Sequence, residues 1–287
     1  MNRLFTLLLA AAMCLAAHSQ RYVTDTVRLE SGVTRTCVTF LPAGLPPDAP
    51  LVVCMHGYGA TARPARFDLD SVAMREHFAV CYPQGLVDST GHTGFNVGYP
   101  AQAAMPAGEV EQICALTRWV QQRYGLSSRN TFATGMSNGG DMCYLLAYSG
   151  QTTFRALAPV SGITMMWIYR QMQAPAPVPI YEIHGTADRT SLWQGDVQGV
   201  HGWGAYLPVS TSIGYWVARD RCTHELKPDT VLGLRPNGRV IVRHRWVGGT
   251  GGCQVWLDEV VGAPHSWMAR DMHTGEAIWQ FFRHYLK

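Results

Sequence analysis

The sequence is poor in charged residues, and the charges it has nearly cancel. Of its 287 residues only 15% are Asp, Glu, Lys or Arg, and the formal net charge at pH 7 is +3. Domains that bind nucleic acids carry Lys and Arg in excess and clustered on one face. A surplus this small and this scattered argues against nucleic acid as a partner.

Several other patterns are missing as well. There is no Cys-x-x-Cys pair, so the spacing typical of a zinc site is absent, and we expect no metal. There is no internal repeat and no low-complexity linker. After the first 20 residues no apolar run is long enough for a membrane span, so we expect no stable membrane insertion. We predict that residues 20–287 form a single α/β domain.

The first residues have the pattern of an export signal. Arg3 precedes an apolar run over residues 4–17, and Ala17 and Ser19 are small residues placed as at a signal-peptidase cleavage site. The run is short for a membrane span. We therefore predict a cleaved signal peptide over residues 1–19 and a secreted or periplasmic protein.

The cysteines suggest at most a few disulfides. Removal of Cys14 with the signal peptide leaves seven of the eight cysteines, an odd number, so at least one has no partner within the chain. Export permits disulfides, and we predict one between Cys222 and Cys253, which lie near the ends of predicted elements. Buried free thiols are expected within predicted strands and helices, at Cys54, Cys81, Cys114 and Cys143.

Apolar runs and helical periodicity alternate along the chain. Strands are predicted at residues 33–40, 51–55, 78–82, 130–134, 157–160, 178–183, 240–247 and 254–260. Helices are predicted at residues 109–124, 138–148, 212–220 and 275–285. This alternation predicts a mostly parallel sheet with helices on both faces. Such sheets bind ligands at the carboxyl ends of their strands, so the informative residues should follow the strands directly.

A Gly-x-Ser-x-Gly pentapeptide, Gly135 to Gly139, stands between a predicted strand and a predicted helix. Strand, tight turn and helix in this order are typical of a nucleophile elbow. The glycines let strand and helix approach closely, and the N-terminus of the helix directs N–H groups towards a developing oxyanion. We predict Ser137 to be the nucleophile; the alternative is an ordinary glycine-rich turn.

The acid of a Ser–acid–His triad is expected after the serine in the chain. Asp188 directly follows the predicted strand at residues 178–183. Four other aspartates have less suitable positions in a loop, a helix end, a turn or mid-strand: Asp196, Asp220, Asp229 and Asp258. Asp188 is therefore the predicted acid, and its alternative role is that of a turn former or helix cap.

The base is predicted to be His265, which lies in a loop after the last predicted strand. His273 is close by and is the second choice. Four other histidines lie within elements or in less suitable loops: His201, His224, His244 and His284. Asp188 would hold the Nδ1–H of His265 while the other ring nitrogen accepts the serine proton.

The oxyanion hole of such a site takes one N–H from the residue after the nucleophile and one from the loop after an early strand. The first is Asn138. The second is assigned to Tyr58, to within one residue, in the loop His56-Gly57-Tyr58-Gly59. No cofactor is implied by this arrangement. His56 and His184 are predicted to have structural roles.

With these motifs in place, the chain resembles the exported carbohydrate esterases of family 1, which include feruloyl esterases, acetylxylan esterases and related polyhydroxybutyrate depolymerases. Trp216, Cys222 and Cys253 also match positions in that family. The resemblance is carried chiefly by Pro50 to Val53 with His56-Gly57-Tyr58-Gly59, Tyr82-Pro83-Gln84-Gly85, the elbow with Gly140, and His184-Gly185-Thr186-Ala187-Asp188. It implies an α/β-hydrolase fold and an ester-bearing polysaccharide, such as feruloylated or acetylated xylan, as substrate.

Two segments depart from the family pattern. The loop around the base reads Ala263-Pro264-His265-Ser266-Trp267-Met268, where the family has a Gly-Gly-His-x-Trp-Pro-like segment. The segment at residues 192–206 is rich in aromatics. Trp193, Trp203 and Trp267 are candidates for substrate binding, with core packing as the alternative. Two other functions stay open: a polyester depolymerase on the same scaffold, and a non-catalytic carbohydrate-binding protein that kept the fold.

Overall fold

The structure is a computed structural model that describes residues 20–235 and 238–287. The predicted signal peptide, residues 1–19, lies outside the described residues. Within those ranges no helix has the length and apolar character needed to cross a membrane.

One large twisted sheet organises the described chain. Its strands follow the order β1-β2-β4-β3-β7-β8-β9-β13-β12-β10, with β11 paired to β12, while β5 and β6 form a separate hairpin. The strands are β1 (Arg21–Arg28), β2 (Thr34–Leu41), β3 (Leu51–Met55), β4 (Ala79–Pro83), β5 (Leu86–Val87), β6 (Thr93–Gly94), β7 (Thr131–Met136), β8 (Leu157–Val160), β9 (Ile180–Gly185), β10 (His224–Glu225), β11 (Asp229–Leu232), β12 (Val240–Val247) and β13 (Val255–Val260). From β4 to β13 along this path the pairs are parallel. The outer strands at both ends are antiparallel.

Helices cover both faces of the sheet. They are α1 (Leu69–Glu76), α2 (Glu109–Tyr124), α3 (Asn138–Ser149), α4 (Met166–Gln171), α5 (Val209–Arg219) and α6 (Thr274–Phe282). Helices α2 to α5 share one apolar core with one face of the sheet, and α1 and α6 share a second core with the other face. Strand β3 shows the division: Leu51, Val53 and Met55 belong to the first core, Val52 and Cys54 to the second.

The main elements agree with those predicted, with ends that differ by a few residues at most sites. The strands at residues 51–55, 157–160 and 240–247 and the helix at 109–124 have the predicted bounds. Strand β1 was not predicted. Its sequence, RYVTDTVR, is largely polar and exposed, and it is ordered by pairing with β2 alone, which single-strand periodicity does not reveal. The short helices α1 and α4 were also missed.

The helix after the elbow lies unusually close to the central strands. A Cβ atom added to Gly139 would lie 2.2 Å from the carbonyl oxygen of Met55 and 2.9 Å from that of His56. Both obstacles are backbone atoms of the central part of the fold, which cannot move aside cheaply. Glycine is therefore required where α3 crosses the end of β3.

We predict that Gly139→Ala lowers the free energy of unfolding by about 3 kcal/mol, because helix and strand must separate to admit the methyl group. Denaturant unfolding followed by circular dichroism measures this. Gly214→Ala is the matched control, since Gly214 is an exposed residue of α5 and an added Cβ meets nothing within 4 Å. The control should raise stability by about 0.5–1 kcal/mol through helix propensity. Equal stabilities for the two variants would contradict the close-approach argument.

Candidate active site

Ser137 occupies a strained turn between β7 and α3. Its φ and ψ are 57° and −124°, and it directly precedes the first residue of α3. A positive φ is uncommon for a residue with a side chain and costs about 1–3 kcal/mol unless the surroundings impose it. The Ser137 N–H donates to the Val160 carbonyl at 2.9 Å, which ties the turn to the neighbouring strand β8. The predicted strand–turn–helix placement is what the structure has.

Asp188 and His265 lie in contact. His265 Nδ1 is 2.7 Å from Asp188 Oδ2, and the other carboxylate oxygen accepts the N–H groups of Thr190 and Ser191, both at 2.8 Å. The Asp188 side chain is fully buried and that of His265 is 19% exposed. Burial favours the neutral acid, but the His265 hydrogen bond and nearby histidine charge prevail, and the pKa of Asp188 is lowered. Asp188 therefore acts as an anion that can orient the imidazole.

The loop that carries His265 lies beside the elbow. Ser161, which follows β8, donates from Oγ to the Ser266 carbonyl at 3.3 Å, and β8 also holds Ser137 through Val160. In the part of the chain that the structure describes, no hydrogen bond joins Ser137 Oγ to His265. Such contacts are often long before substrate binds. The structure thus brings Asp188 and His265 into direct contact and places Ser137 beside their loop.

The loop after β3 lies against the serine. A Cβ added to Gly57 would lie 3.3 Å from Ser137 Cβ and 3.7 Å from its Oγ, so the peptide between Gly57 and Tyr58 is next to the nucleophile candidate. Asn138 is the first residue of α3, where backbone N–H groups lack intrahelical acceptors. The Asn138 side chain is buried and exchanges hydrogen bonds with Phe95 N and O at 2.7 and 3.0 Å.

Two side chains hold this loop in place. His56 Nε2 accepts a hydrogen bond from the Gly85 N–H at 2.9 Å. His56 Nδ1 lies 2.7 Å from the carbonyl oxygen of Gly57. Because burial lowers the pKa of His56, the ring is neutral with its proton on Nδ1. The Tyr58 hydroxyl donates to the carboxylate of Asp88, whose other oxygen accepts the Thr90 N–H at 2.8 Å. This second anchor was not foreseen, because Asp88 lies in a loop that has no motif.

The three tryptophans proposed for substrate binding have different surroundings. Trp203 is half-buried and packs edge-on against Tyr58, with ring centroids 5.5 Å apart, so it borders the loop next to Ser137. Trp193 is half-buried against His184 at 5.8 Å. Trp267 is only 5% exposed, and its Nε1 donates to Asp68 at 2.7 Å. Trp267 is therefore a core residue, and its side chain leaves little exposed surface for contact with a substrate.

The cysteines in the described residues are all free thiols. Those predicted as buried are buried, namely Cys54, Cys81, Cys114 and Cys143. Cys222 and Cys253 lie side by side without a bond between them, with Cys222 Sγ 3.9 Å from the Cys253 carbonyl oxygen. The disulfide predicted between them is not formed in this structure. Within residues 20–235 and 238–287, no cluster of three His, Cys, Asp or Glu has the arrangement of a metal site.

A buried polar layer beneath the acid was missed by sequence reasoning. His184 lies under Asp188, with Nδ1 2.8 Å from Glu182 Oε1 and Nε2 2.8 Å from the Ser191 carbonyl. Burial opposes the charge, yet the Glu182 carboxylate, the Ser191 carbonyl and Asp188 together raise the pKa of His184. Tyr144 completes the layer by donating to the other oxygen of Glu182 at 3.0 Å. The available signal was a glutamate inside an otherwise apolar strand.

Asp141 is a second buried acid close to the elbow. Its Oδ1 accepts the Ile163 N–H at 2.8 Å, and Oδ2 is hydrogen-bonded to the hydroxyl of Tyr99. Burial raises the pKa of Asp141 to about 8; the Tyr99 and Ile163 hydrogen bonds only partly offset it. Near neutral pH this carboxyl is therefore largely protonated in the folded protein.

Parts of this chain are similar in sequence to known esterases and depolymerases. Residues 36–175 match the family model described as "Esterase PHB depolymerase". The predicted family resemblance is confirmed. The chain is 24% identical over 167 residues to the bifunctional acetylxylan esterase/xylanase XynS20E of Neocallimastix patriciarum, a match that covers 58% of this chain and 23% of the relative. It is 28% identical over 123 residues to poly(3-hydroxyalkanoate) depolymerase C of Paucimonas lemoignei, covering 42% of this chain and 30% of the relative. These matches therefore span less than a third of either relative's length.

Solved structures support the fold. An acetyl xylan esterase from Aspergillus awamori superimposes with a TM-score of 0.59 at 15% identity, covering 93% of this chain and 100% of that one. The S-formylglutathione hydrolase FrmB from Staphylococcus aureus gives a TM-score of 0.58 at 11% identity, covering 92% and 99%. The predicted fold class, an α/β-hydrolase with a mostly parallel sheet, is confirmed.

The raised pKa of Asp141 predicts a pH dependence of stability. The unfolded carboxyl loses its proton near pH 4, whereas the folded one keeps it to about pH 8. Because the folded state binds the extra proton between these values, the contribution of Asp141 to the free energy of unfolding falls as pH rises from 4 to 8, by at most about 1.4 kcal/mol per pH unit.

Asp141→Asn isolates this contribution, because an amide can accept from Ile163 and donate to the Tyr99 hydroxyl without titrating. Urea unfolding at intervals from pH 4 to 8 should show the variant gaining stability relative to wild type as pH rises. A constant difference between the two proteins across this range would refute a shifted Asp141.

Proposed function

We propose that this protein is a serine esterase that hydrolyses carboxylic esters through an acyl-enzyme. Ser137 is the nucleophile, His265 the general base and acid, and Asp188 the residue that orients His265. The backbone N–H groups of Tyr58 and Asn138 form the oxyanion hole. No cofactor takes part in this scheme.

In the first half-reaction Ser137 Oγ attacks the ester carbonyl carbon while His265 Nε2 takes the hydroxyl proton. The carbonyl oxygen becomes an anion held by the two N–H groups. When the tetrahedral intermediate collapses, the carbon–oxygen bond to the alcohol breaks and His265 returns its proton to the leaving alcohol. In the second half-reaction water loses a proton to His265, attacks the acyl carbon and releases the acid, which regenerates Ser137.

The observation that carries this proposal is the contact of Asp188 with His265 Nδ1 beside a strained serine. With Nδ1–H directed at Asp188 at 2.7 Å, the remaining nitrogen, Nε2, is the one free to accept a proton. The backbone at Ser137 has a φ of 57°, and the helix that follows it packs closely against the end of β3. Strain retained at such a position is characteristic of functional turns.

We propose plant cell-wall polysaccharide carrying acetyl or feruloyl esters, such as substituted xylan, as the substrate. Two observations support this. One relative and one structural neighbour are acetylxylan esterases, and the sequence motifs resemble those of carbohydrate esterases. We also propose that residues 1–19 direct export to the periplasm or the medium, and that residues 20–287 form one catalytic domain.

A polyester depolymerase is the second candidate, favoured by the match to the poly(3-hydroxyalkanoate) depolymerase. An enzyme for a solid polymer needs exposed apolar surface near its site. The loop that carries Trp203 exposes 55% of Val197 and 71% of Val200. These two valines form only a small exposed apolar surface.

A panel of esters tests both candidates. We expect wild type to hydrolyse methyl ferulate or acetylated xylan faster than a hydroxybutyrate oligomer, and Ser137→Ala to lose on the order of 10⁶ in kcat on each substrate that wild type cleaves. The measurement is released acid, with both proteins shown to be folded by circular dichroism. A faster rate on the oligomer would favour the depolymerase.

Two other outcomes would overturn the proposal. Activity retained by Ser137→Ala would remove the assigned nucleophile. A folded wild type that cleaves none of the three esters, and that also fails to react with a fluorophosphonate probe at Ser137, would favour the non-catalytic carbohydrate-binding alternative.

The role of Asp188 can be separated from turn formation. Asp196 is a matched control, because its carboxylate also accepts backbone N–H groups, from Gly199 at 2.9 Å and His201 at 2.8 Å, and no histidine side chain hydrogen-bonds to it among the described residues. We expect Asp188→Asn to lower kcat by about 10⁴, because the imidazole loses its orienting anion. Asp196→Asn should keep kcat within the same order of magnitude. Similar losses in both variants would assign Asp188 to turn formation alone.

A further inference from the structure

Three grooves that share lining residues lie one after another between the β1 edge of the sheet and Gly204. The first, of about 710 Å³, lies between the end of β1 and the outer side of α2 and is lined by Trp119. The second, of about 550 Å³, shares Gly108 and Glu111 with the first and is lined by Trp167. The third, of about 340 Å³, shares Trp167 with the second and reaches Gly204.

The third groove ends next to the proposed oxyanion loop. Gly204 directly follows Trp203, whose ring packs against Tyr58 with centroids 5.5 Å apart. Adjacent grooves share lining residues, and we call the three together the α2 track. Along α2 alone, from Gly108 to Gln122, it covers roughly 21 Å at the helical rise per residue. That length far exceeds an acyl group and suits an extended chain.

The lining of the α2 track combines indole rings with balanced polar groups. Trp119 and Trp167 are both half-buried and line the grooves with part of their surface. The charges around Trp119 are two arginines, Arg28 and Arg118, and two glutamates, Glu30 and Glu111. With equal numbers of each sign, this part of the track favours neither a polyanion nor a polycation. It offers both donors and acceptors to hydroxyl groups.

The second groove adds no net charge that would change this balance, and the third adds a single exposed arginine, Arg170. Glu109 is one of its lining residues, but its carboxylate is paired with the buried Arg35 at 2.6 Å. Trp167 is fixed in position by its Nε1, which donates to the Val97 carbonyl at 2.8 Å. A rigid indole at the surface loses little conformational freedom when it stacks on a ligand.

We propose that the α2 track binds the main chain of a neutral polysaccharide and so holds it while an ester substituent enters the site at Ser137. This inference rests on the proposed function and narrows it to a polymeric substrate in which the unsubstituted backbone, and not only the ester, is recognised. A solid polyester offers no hydroxyl groups along its chain to pair with both the donors and the acceptors around Trp119. The track therefore distinguishes polysaccharide from polyester.

Trp119→Ala tests the track at a distance from the proposed catalytic residues. We expect kcat/KM on acetylated xylan to fall about fivefold or more, through KM, because a central aromatic contact is lost. Hydrolysis of 4-nitrophenyl acetate should stay unchanged, since a small ester does not reach the track. The matched control is Trp246→Ala, which removes a half-buried indole from β12 near the opposite end of the sheet and should leave both rates unchanged.

A second variant guards against loss of folding in Trp119→Ala. Glu111 and Gln122 are exposed residues that line the track, so the double change Glu111→Ala/Gln122→Ala should fold normally and weaken only the polymer reaction. If both track variants are folded and hydrolyse acetylated xylan as wild type does, the proposal is wrong. A parallel loss on 4-nitrophenyl acetate would also overturn it, because it would indicate damage to the site itself.

Binding to unsubstituted xylan separates this proposal from the proposed esterase activity. Affinity electrophoresis in gels containing that polymer needs no hydrolysis and can use Ser137→Ala as the parent protein. Retardation that is lost with Trp119→Ala supports the track even if no ester is cleaved. Absence of retardation in the parent, or retardation that Trp119→Ala does not alter, would refute it. Adsorption to polyhydroxybutyrate granules that depends on Trp119 would assign the track to a polyester instead.

Discussion

The contact of Gly139 with the end of β3 is the constraint on which the rest of the site depends. An added Cβ would lie 2.2 Å from the Met55 carbonyl oxygen, so the start of α3 lies directly against the backbone of the neighbouring strand. Ser137, with its positive φ, stands at the sharp turn two residues before this contact. The same close approach brings the loop after β3, with Gly57 and Tyr58, beside the serine.

Several buried titratable side chains lie close to the start of α3 and to Asp188. Asp141 lies one turn into α3 and stays largely protonated through burial, while Glu182 and His184 form a hydrogen-bonded pair beneath Asp188. The layer contains groups that would each be costly to bury alone. Their mutual hydrogen bonds make burial tolerable and leave Asp188 as the anion that faces His265. The layer thus links the position of the acid to the packing of the sheet.

The sequence predicted much of this arrangement and missed the parts that depend on long-range contacts. Ser137, Asp188 and His265 were predicted because each lies in the turn or loop that follows an apolar strand, and the ends of parallel strands meet at one edge of a sheet. The bounds of β3 were recovered from its continuous apolar run, and those of α2 from its helical periodicity and its C-terminal glycine. Strand β1 was missed, since its polar residues form a strand only through pairing with β2. The Asp88 anchor of Tyr58 joins two loops, and loop contacts leave no periodic signal.

Trp267 shows a different limit of sequence reasoning. An aromatic residue two positions from a predicted base suggests a substrate contact, yet its indole is buried and bonded to Asp68. Spacing along the chain gives proximity but not the direction of the side chain. Trp203, which lies farther from every motif, borders the site because its loop folds back onto Tyr58. Direction of this kind is decided by tertiary packing.

The strand order has a consequence for how the protein reaches its folded state. Val53 of β3 pairs with Cys81 on one side and with Ala133 on the other, so both partners come from later parts of the chain. A topology of such high contact order folds slowly, because long loops must close before the pairing gives any stabilisation. Meanwhile β3, the wholly apolar segment LVVCM, has two unpaired edges. Until α3 and both neighbours cover it, this strand is open to intermolecular pairing, and production at low temperature with chaperones should raise the soluble yield.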